Sequence, residues 1–427
     1  MNGGLSMVEM KSGYKMTEVG VIPEDWEVCE LRNHLVLLTD YDANGSFADM
    51  ASNVVTTTGN VYAWYVRATD LEQQSSLSEV KYVDEKSYRF LRKSTLYGGE
   101  VLLAKRGEIG KVYYFQMKTK RATLAPNLYL LKLKDTINSY FLFSLFKSTF
   151  GQNLLKSINA STSLGAIYKD DVKGLNILIP PFEEQASIAT ALSDVDSLIS
   201  ALTKKIEKKK AIKQGLMQQL LTGKKRLPEF GEKWVEIELG QHSIMNSGGT
   251  PSTANPEYYG GKIPFLSIND ITNAGKFIYE TEKTITEEGL KNSSARLFKK
   301  GTIMYAMYAS VGKCAITKIR ISCSQAILGI NVDSTLDADF LYYYLVSIQD
   351  DVLNYGQTGT QTNLSKQIIS SFILNVPSSK AEQTAIANIL SDCDSEIAAL
   401  EEKRDKYKEI KQGMMQQLLT GKIRLIK

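Results

Sequence analysis

Residues 184–227 read EQASIATALSDVDSLISALTKKIEKKKAIKQGLMQQLLTGKKRL, and residues 382–425 read EQTAIANILSDCDSEIAALEEKRDKYKEIKQGMMQQLLTGKIRL. A constant offset of 198 aligns them without a gap, with 15 differences and hence 29 identities over 44 positions. Such a duplication outranks any local reading of the chain. Within each copy, apolar residues recur at alternating intervals of 4 and 3. The first copy has Ile188, Leu192, Val195, Ile199, Leu202 and Ile206, then Leu216 and Leu220; the second has Ile386, Leu390, Cys393, Ile397 and Leu400, then Met414 and Leu418. That alternation is the seam of a coiled coil. Pro180–Pro181 and Pro377 precede the two segments, and Gly223 and Gly421 follow them, as helix starts and stops require. About 40 residues at 1.5 Å each predict roughly 60 Å of helix. No third long periodic segment exists, so the simplest way to cover both seams is to pack the helices on each other. The polar residues at mid-seam (Lys209, Lys213, Arg404, Lys411) then restrict register.

Outside these copies the repeat is faint. Pro23 and Trp26 (IPEDWEVCEL) correspond to Pro228 and Trp234 (LPEFGEKWVEIEL), and each Trp is followed five residues later by Leu31 or Leu239. GEVLLAKRGEIGKVYY (99–114) resembles GTIMYAMYASVGKCAI (301–316). The offset drifts from 208 to 202 to 198 along the chain, so the globular parts have gained and lost residues and the helical segments have not. The tail LTGKIRLIK stops where its counterpart continues into LPEF, and VIPEDW near the N-terminus looks like that missing continuation. The order globular, helix, globular, helix closes nearly into a ring, which makes the helices antiparallel.

The 427 residues suit two to four structural units. With 43% hydrophobic and 23% charged residues, a collagen, a disordered tail or a membrane channel is excluded. The longest apolar runs, such as Phe141–Phe146 and Leu341–Val346, fall far short of the ~18 residues of a membrane helix. The opening MNGGLSMVEMKSGYKM lacks the apolar core of a secretory signal. Cys29, Cys314, Cys323 and Cys393 form no CxxC pair, and only two histidines are present, so a Cys/His metal site is not expected. Free thiols fit a cytoplasmic protein. The net charge of +4 is concentrated: residues 183–227 hold nine Lys/Arg against five Asp/Glu, and the rest of the chain balances.

Strand-like runs such as VYAWYVRATD, EVLLAKRG, KVYYFQM, LYLLKL and LNILIP fill the first globular part; IPFLSIND, GTIMYAMY, KCAITKI, ILGINV and FILNVP fill the second. Short helices are expected at 140–155 and 338–355. The fold class is therefore α+β: two globular domains of mixed α/β structure joined by two long antiparallel coiled-coil helices, with pseudo-twofold order. The boundaries are 1–181, 182–227, 228–379 and 380–427.

No catalytic constellation emerges. GEIGK and SVGK fail the phosphate-loop pattern, having Lys105 and Met307 where it needs glycine. Ile179 before Pro180–Pro181–Phe182 cannot hold an amino group as the Asn or Asp of an adenine methyltransferase does. His34 and His242 have no neighbouring nucleophile in an activating pattern. Basic residues interleaved with tyrosines are candidates for phosphate or base contact: Arg67, Lys105, Arg106, Lys111 and Arg121 in the first half, and Lys313, Lys318 and Arg320 in the second. Ile188, Leu192, Ile199, Leu202, Leu216, Leu220, Ile386, Leu390, Ile397, Leu400, Met414 and Leu418 are the candidate helix interface. Glu401, Glu402, Asp405 and Glu409 stand where the first copy has Thr203, Lys204, Glu207 and Ala211, which makes charge complementarity between the helices an expectation.

The layout of Pro…Trp entry, variable domain, PPFEEQ or PSSKAEQ turn and helix ending KQGLMQQLLTGKKRL or KQGMMQQLLTGKIRL resembles the specificity subunit of a type I restriction–modification system. The resemblance implies a non-catalytic subunit binding double-stranded DNA, with each globular domain reading one half of a bipartite target and the helices setting the spacing. It implies two modification subunits that methylate adenine, plus restriction subunits, with the methyl donor and ATP/Mg bound by those partners and no cofactor in this chain. A coiled-coil adaptor with two ligand-binding domains and no DNA partner is the alternative.

Overall fold

The structure, a computed structural model, describes residues 12–159, 165–355 and 363–426; the first eleven residues, including MNGGLSMVEM, lie outside them. The chain divides into two compact units, Met1–Leu202 with Lys403–Lys427, and Thr203–Glu402. The central helix (Phe182–Leu220) and the C-terminal helix (Lys380–Leu418) are each 39 residues long. Each contributes one half to each unit, so the helices are not bodies apart from the globular parts.

The first unit holds two sheets. A four-stranded antiparallel sheet runs in the order Val112–Tyr114, Val101–Ala104, Leu128–Leu133, Leu35–Asp40. A five-stranded sheet runs Thr56–Thr57, Lys81–Val83, Ala63–Val66, Ala122–Leu124, Thr95–Leu96, with Ala63–Val66 parallel to Ala122–Leu124. The second unit repeats this plan. Its first sheet runs Ser243–Ser247, Ile327–Val332, Ile303–Ala306, Cys314–Thr317, with Phe277–Ile278 added at the edge. Its second sheet runs Lys283–Ile285, Tyr259–Leu266, Ile321–Cys323, Leu297–Phe298. All ten strand-like runs form strands because each carries β-branched or aromatic residues buried on at least one face. The two expected short helices are each broken in two. In the first unit Ser148 separates Ser139–Lys147 from Thr149–Ser157 and caps the second piece, its hydroxyl accepting from the Gly151 amide at 3.2 Å.

The helix halves within each unit are antiparallel. In the first unit Glu184 pairs with Arg424 and Asp196 with Lys411; in the second Glu382 pairs with Arg226 and Asp394 with Lys213. The seam residues serve more than the partner helix. Ile188, Leu192 and Leu418 are part of the first unit's main core, alongside Phe141 and Leu145, and Leu220, Ile386 and Leu390 join that of the second. Leu202 and Ile397 are buried; Ile199, Leu216, Leu400 and Met414 are half-buried. Charge complementarity takes a narrower form than the sequence implies. Lys209 and Lys210 reach Glu396 and Glu401, but Asp405 pairs with Arg404 and Lys408 of its own helix. Such exposed pairs add little stability.

The repeated EQ dipeptide makes a buried junction. Glu184 and Glu382 are fully buried, and Gln185 and Gln383 nearly so. The Gln185 amide donates to Pro180 O at 2.9 Å, while its oxygen accepts from the Asn138 amide at 2.8 Å. Gln383 makes the same pair of bonds with Pro377 and Asp337. Glu184 accepts from Arg424 and from the Trp26 indole at 2.9 Å; Glu382 accepts twice from Arg226, but the buried Trp234 indole nitrogen has no partner among the described residues.

Gly223 and Gly421 both adopt φ +69° after their helices, the left-handed cap that the sequence predicts. A Cβ at Gly421 would lie 2.5 Å from the rigid ring of Pro23, whereas at Gly223 the nearest atom is 3.3 Å away, on Trp234. Gly223→Ala should therefore cost about 1 kcal/mol for the backbone conformation alone, and Gly421→Ala clearly more, read as the difference in midpoint on thermal or urea unfolding. Equal costs would show that the Pro23 contact is unimportant.

Candidate nucleic-acid interface

The eight basic candidates have unlike surroundings. Arg67 is tied to the buried Asp70 at 2.5 Å, and Lys111 to Glu72 and Glu108 at 3.0 and 2.9 Å. Asp70 and Glu72 belong to one short helix, Ala68–Glu72, so these two cations are held against the same element. Arg121 lies over the Tyr62 ring at 4.4 Å, and Lys318 over Phe277 at 3.8 Å. Arg106, Lys313 and Arg320 are exposed, and none has an ion pair among the described residues. Lys111 and Lys313 follow Gly110 and Gly312 in equivalent turns, both glycines at positive φ. The backbone of each turn is held by a glutamine: Gln152 donates to Gly110 O and Gln349 to Val311 O.

Lys105 departs most from its expected role. It is buried, with its ammonium 3.0 Å from Asp40 and 2.5 Å from Asp42. Lys169 reaches the other oxygen of Asp40 at 2.8 Å. Burial raises the Asp40 pKa, but the hydrogen bonds from Lys169 and Lys105 outweigh it and hold the carboxyl below its usual range. Tyr129 lies beneath both lysines, its hydroxyl donating to Ile167 O, and burial pushes its pKa up to about 12. The strand ladder places Asp40 opposite Tyr129, which explains how residues 65 and 129 positions apart in sequence meet at one point.

Asp42 and Lys105 of this cluster line a cleft of about 500 Å³, together with Tyr41, Phe47, Met50 and Arg106 among others. Phe47 is 91% exposed. It opens the helix Phe47–Asn53, which a full capping box between Ser46 and Asp49 anchors. Sequence reading missed Asp40, Asp42, Lys169 and Phe47. An aspartate or an aromatic residue in a connection carries no periodicity, so only the ladder register and measured exposure single these out.

The histidines hold loops. His34 Nδ1 lies 2.8 Å from the Thr136 hydroxyl and His242 Nδ1 3.0 Å from that of Thr335. The structure does bring a nucleophile to His34: Cys29 Sγ is 3.2 Å from Nε2. Burial pushes the thiol pKa up and the imidazole pKa down, so both are held neutral and the pair is not activated. Among the described residues no three His, Cys, Asp or Glu side chains group as a metal site would.

The second unit has Met307 and Ser247 where the first has Lys105 and Asp40. Lys105→Met alone should destabilise the chain by about 2 kcal/mol, because it leaves buried Asp40 only one cation. The double change Asp40→Ser with Lys105→Met, which copies the second unit, should recover much of that loss in the same unfolding measurement. A double variant less stable than the single one would contradict this account.

Comparison with known proteins agrees with the duplicated plan. Residues 23–214 and 231–412 each match the family described as the type I restriction modification DNA specificity domain. The chain is 28% identical over 434 residues to the putative type I restriction enzyme MjaX specificity subunit of Methanocaldococcus jannaschii, covering 97% of each. It is 24% identical over 432 residues to the MjaVIII specificity subunit of the same organism, covering 95% of this chain and 94% of that one. In fold it is similar to the crystal structure of the type I restriction–modification S subunit from M. genitalium, with a TM-score of 0.62, 16% identity and coverage of 96% and 99%. The two matched segments cover most of the chain, which identifies it as a member of the specificity subunits of type I restriction–modification systems, a family that recognises DNA and is non-catalytic.

Proposed function

We propose that the chain reads a bipartite double-stranded DNA target, one half per unit, and positions two copies of an adenine-methylating modification subunit together with restriction subunits. In this reading 1–181 and 228–379 are the readers, and 182–227 and 380–427 the connecting helices. The observation that carries it is a contrast within the repeat: the helical segments share 29 of 44 residues without a gap, while the reader surfaces differ. The first unit exposes Asp194, Ser197, Ala201, Lys403, Lys406 and Ile410; the second exposes the same six residue types as Asp392, Ser395, Ala399, Lys205, Lys208 and Ile212. These positions follow helical spacing on each segment, and exposed Ile212 (44%) and Ile410 (41%) have no structural need to be apolar. Two equal surfaces suit two equal partners, and two unequal readers suit two unequal half-sites. All four cysteines are free, and no helix among the described residues is long and apolar enough to cross a membrane, which supports a place in the cytoplasm.

Exchanging residues 31–173 for the corresponding part of another specificity subunit should change one half-site and leave the other intact, as read by mapping methylated adenines in a host genome. Adding one heptad to both helices, after Leu202 and after Glu402, preserves every contact within each unit and lengthens the connection by about 10 Å. The spacer between half-sites should then grow by about three base pairs, with both half-sites unchanged; altered half-sites would contradict the proposal. Ile212→Glu or Ile410→Glu alone should reduce co-purified modification subunits from two to one, and the pair of changes should remove both.

A further inference from the structure

Backbone geometry defines equivalent positions in the two readers more sharply than sequence does. In the first unit the Lys105 amide donates to Asn127 O and the Lys105 carbonyl accepts from Ile167; in the second Met307 makes the same two bonds with Ala326 and Leu364. Asp40 faces Tyr129 across its ladder, and Ser247 faces Leu328 across the equivalent one. The charged cluster of the first unit is thus replaced by Met307, Ser247 and Leu328 in the second. The wall of the cleft differs as well. The helix Phe47–Asn53 follows the first unit's strand, whereas between Gly248 and Tyr258 the second unit forms turns and the short 3-10 helix Pro256–Tyr258 in place of an α-helix.

A carboxylate facing DNA is repelled by the phosphates unless its charge is offset. The cleft offsets it. Asp40, Asp42, Lys105 and Lys169 sum to zero, and Lys105 engages only Oδ2 of Asp42, whose side chain remains 66% exposed. Oδ1 of Asp42 can therefore accept a hydrogen bond. Beside it stands Arg106, exposed and with no ion pair among the described residues. Asp accepting from the amino group of cytosine and Arg donating to O6 and N7 of guanine are the two major-groove contacts that read the partners of one base pair. Phe47 adds an apolar surface at the mouth of the same cleft.

We infer that this cleft reads a C·G base pair in the first unit's half-site, with Arg106 on guanine, Asp42 on cytosine, and Lys105 as the positioning residue that neutralises and orients Asp42. The inference rests on the proposed reading of DNA by each unit and adds which residues select which base pair. It also explains why Lys105 points inward and does not meet phosphate.

The test uses the full chain with its modification subunit in a host free of other adenine methylation, with methylated sites mapped genome-wide. Arg106→Ala, at an exposed position, should lower discrimination at one C·G position of one half-site by about 10- to 100-fold. Asp42→Asn should relax or change the same position, and Lys105→Met should relax it as well. The other half-site should stay as in the wild type. Methylation at unchanged sequences in both the Arg106 and Asp42 variants would overturn the inference and leave the bipartite reading standing. A uniform loss over all positions would show a phosphate contact only and would also overturn it. A wild-type complex without sequence preference would overturn the bipartite reading, and this inference with it.

Discussion

Each unit depends on a carboxylate buried at the start of one helix and clasped by an arginine that follows the end of the other. Glu184 and Glu382 are fully buried, and a buried carboxylate is costly unless its charge and lone pairs are matched. Arg424 and Arg226 match them, and the arrangement is possible only if the two helices are antiparallel and correctly staggered. The adjacent Gln185 and Gln383 then bind the backbone that leads into the domain helix. Twelve residues further along each helix, Asp196 and Asp394 accept a lysine from the opposite helix and a tyrosine hydroxyl from the domain, Tyr140 or Tyr343. Helix pairing, stagger and domain docking are thus set by the same few polar groups, and apolar packing fills the space between them.

The same junction is built by two different covalent routes. In the second unit the chain runs without interruption from Gly223 through Arg226 to Trp234. In the first, the tail around Gly421 and Arg424 meets Tyr14, Pro23 and Asp25 with no peptide link: the Tyr14 hydroxyl donates to Gly421 O at 2.9 Å, and Arg424 reaches Asp25. The Arg424 hydrogen bond holds the Asp25 carboxyl below its usual range. Side-chain contacts here replace a bond, which is why the ring-like order seen in the sequence is realised as a packed structure.

Against this constant frame the globular parts vary. The sheets keep their order and the turns keep their glycines, so the backbone presents equivalent points in both units. What stands on those points is free to change: a compensated cluster of four charges in one unit, Met307, Ser247 and Leu328 in the other. Divergence at these points costs little as long as each buried charge keeps its partner, which explains how two copies of one domain come to hold unlike chemistry.

Much of the fold was legible in the residues. Gap-free identity over 44 positions fixed the duplication, the 3–4 spacing the helices, and alternating β-branched and aromatic runs the strands, because each signal is local and periodic. The breaks at Ser148 and Ile348 were less visible, since a cap inside an apolar run leaves the period almost intact. The site was the least legible part. Lysine count and spacing marked Lys105 as a surface cation, but Asp40 and Lys169, distant in sequence, turn it inward. The sequence by itself therefore determined the duplication, the long helices and the family. Only the tertiary structure decided which charges neutralise one another and which stay exposed, because that depends on ladder register and burial, neither of which is written in any contiguous stretch of chain.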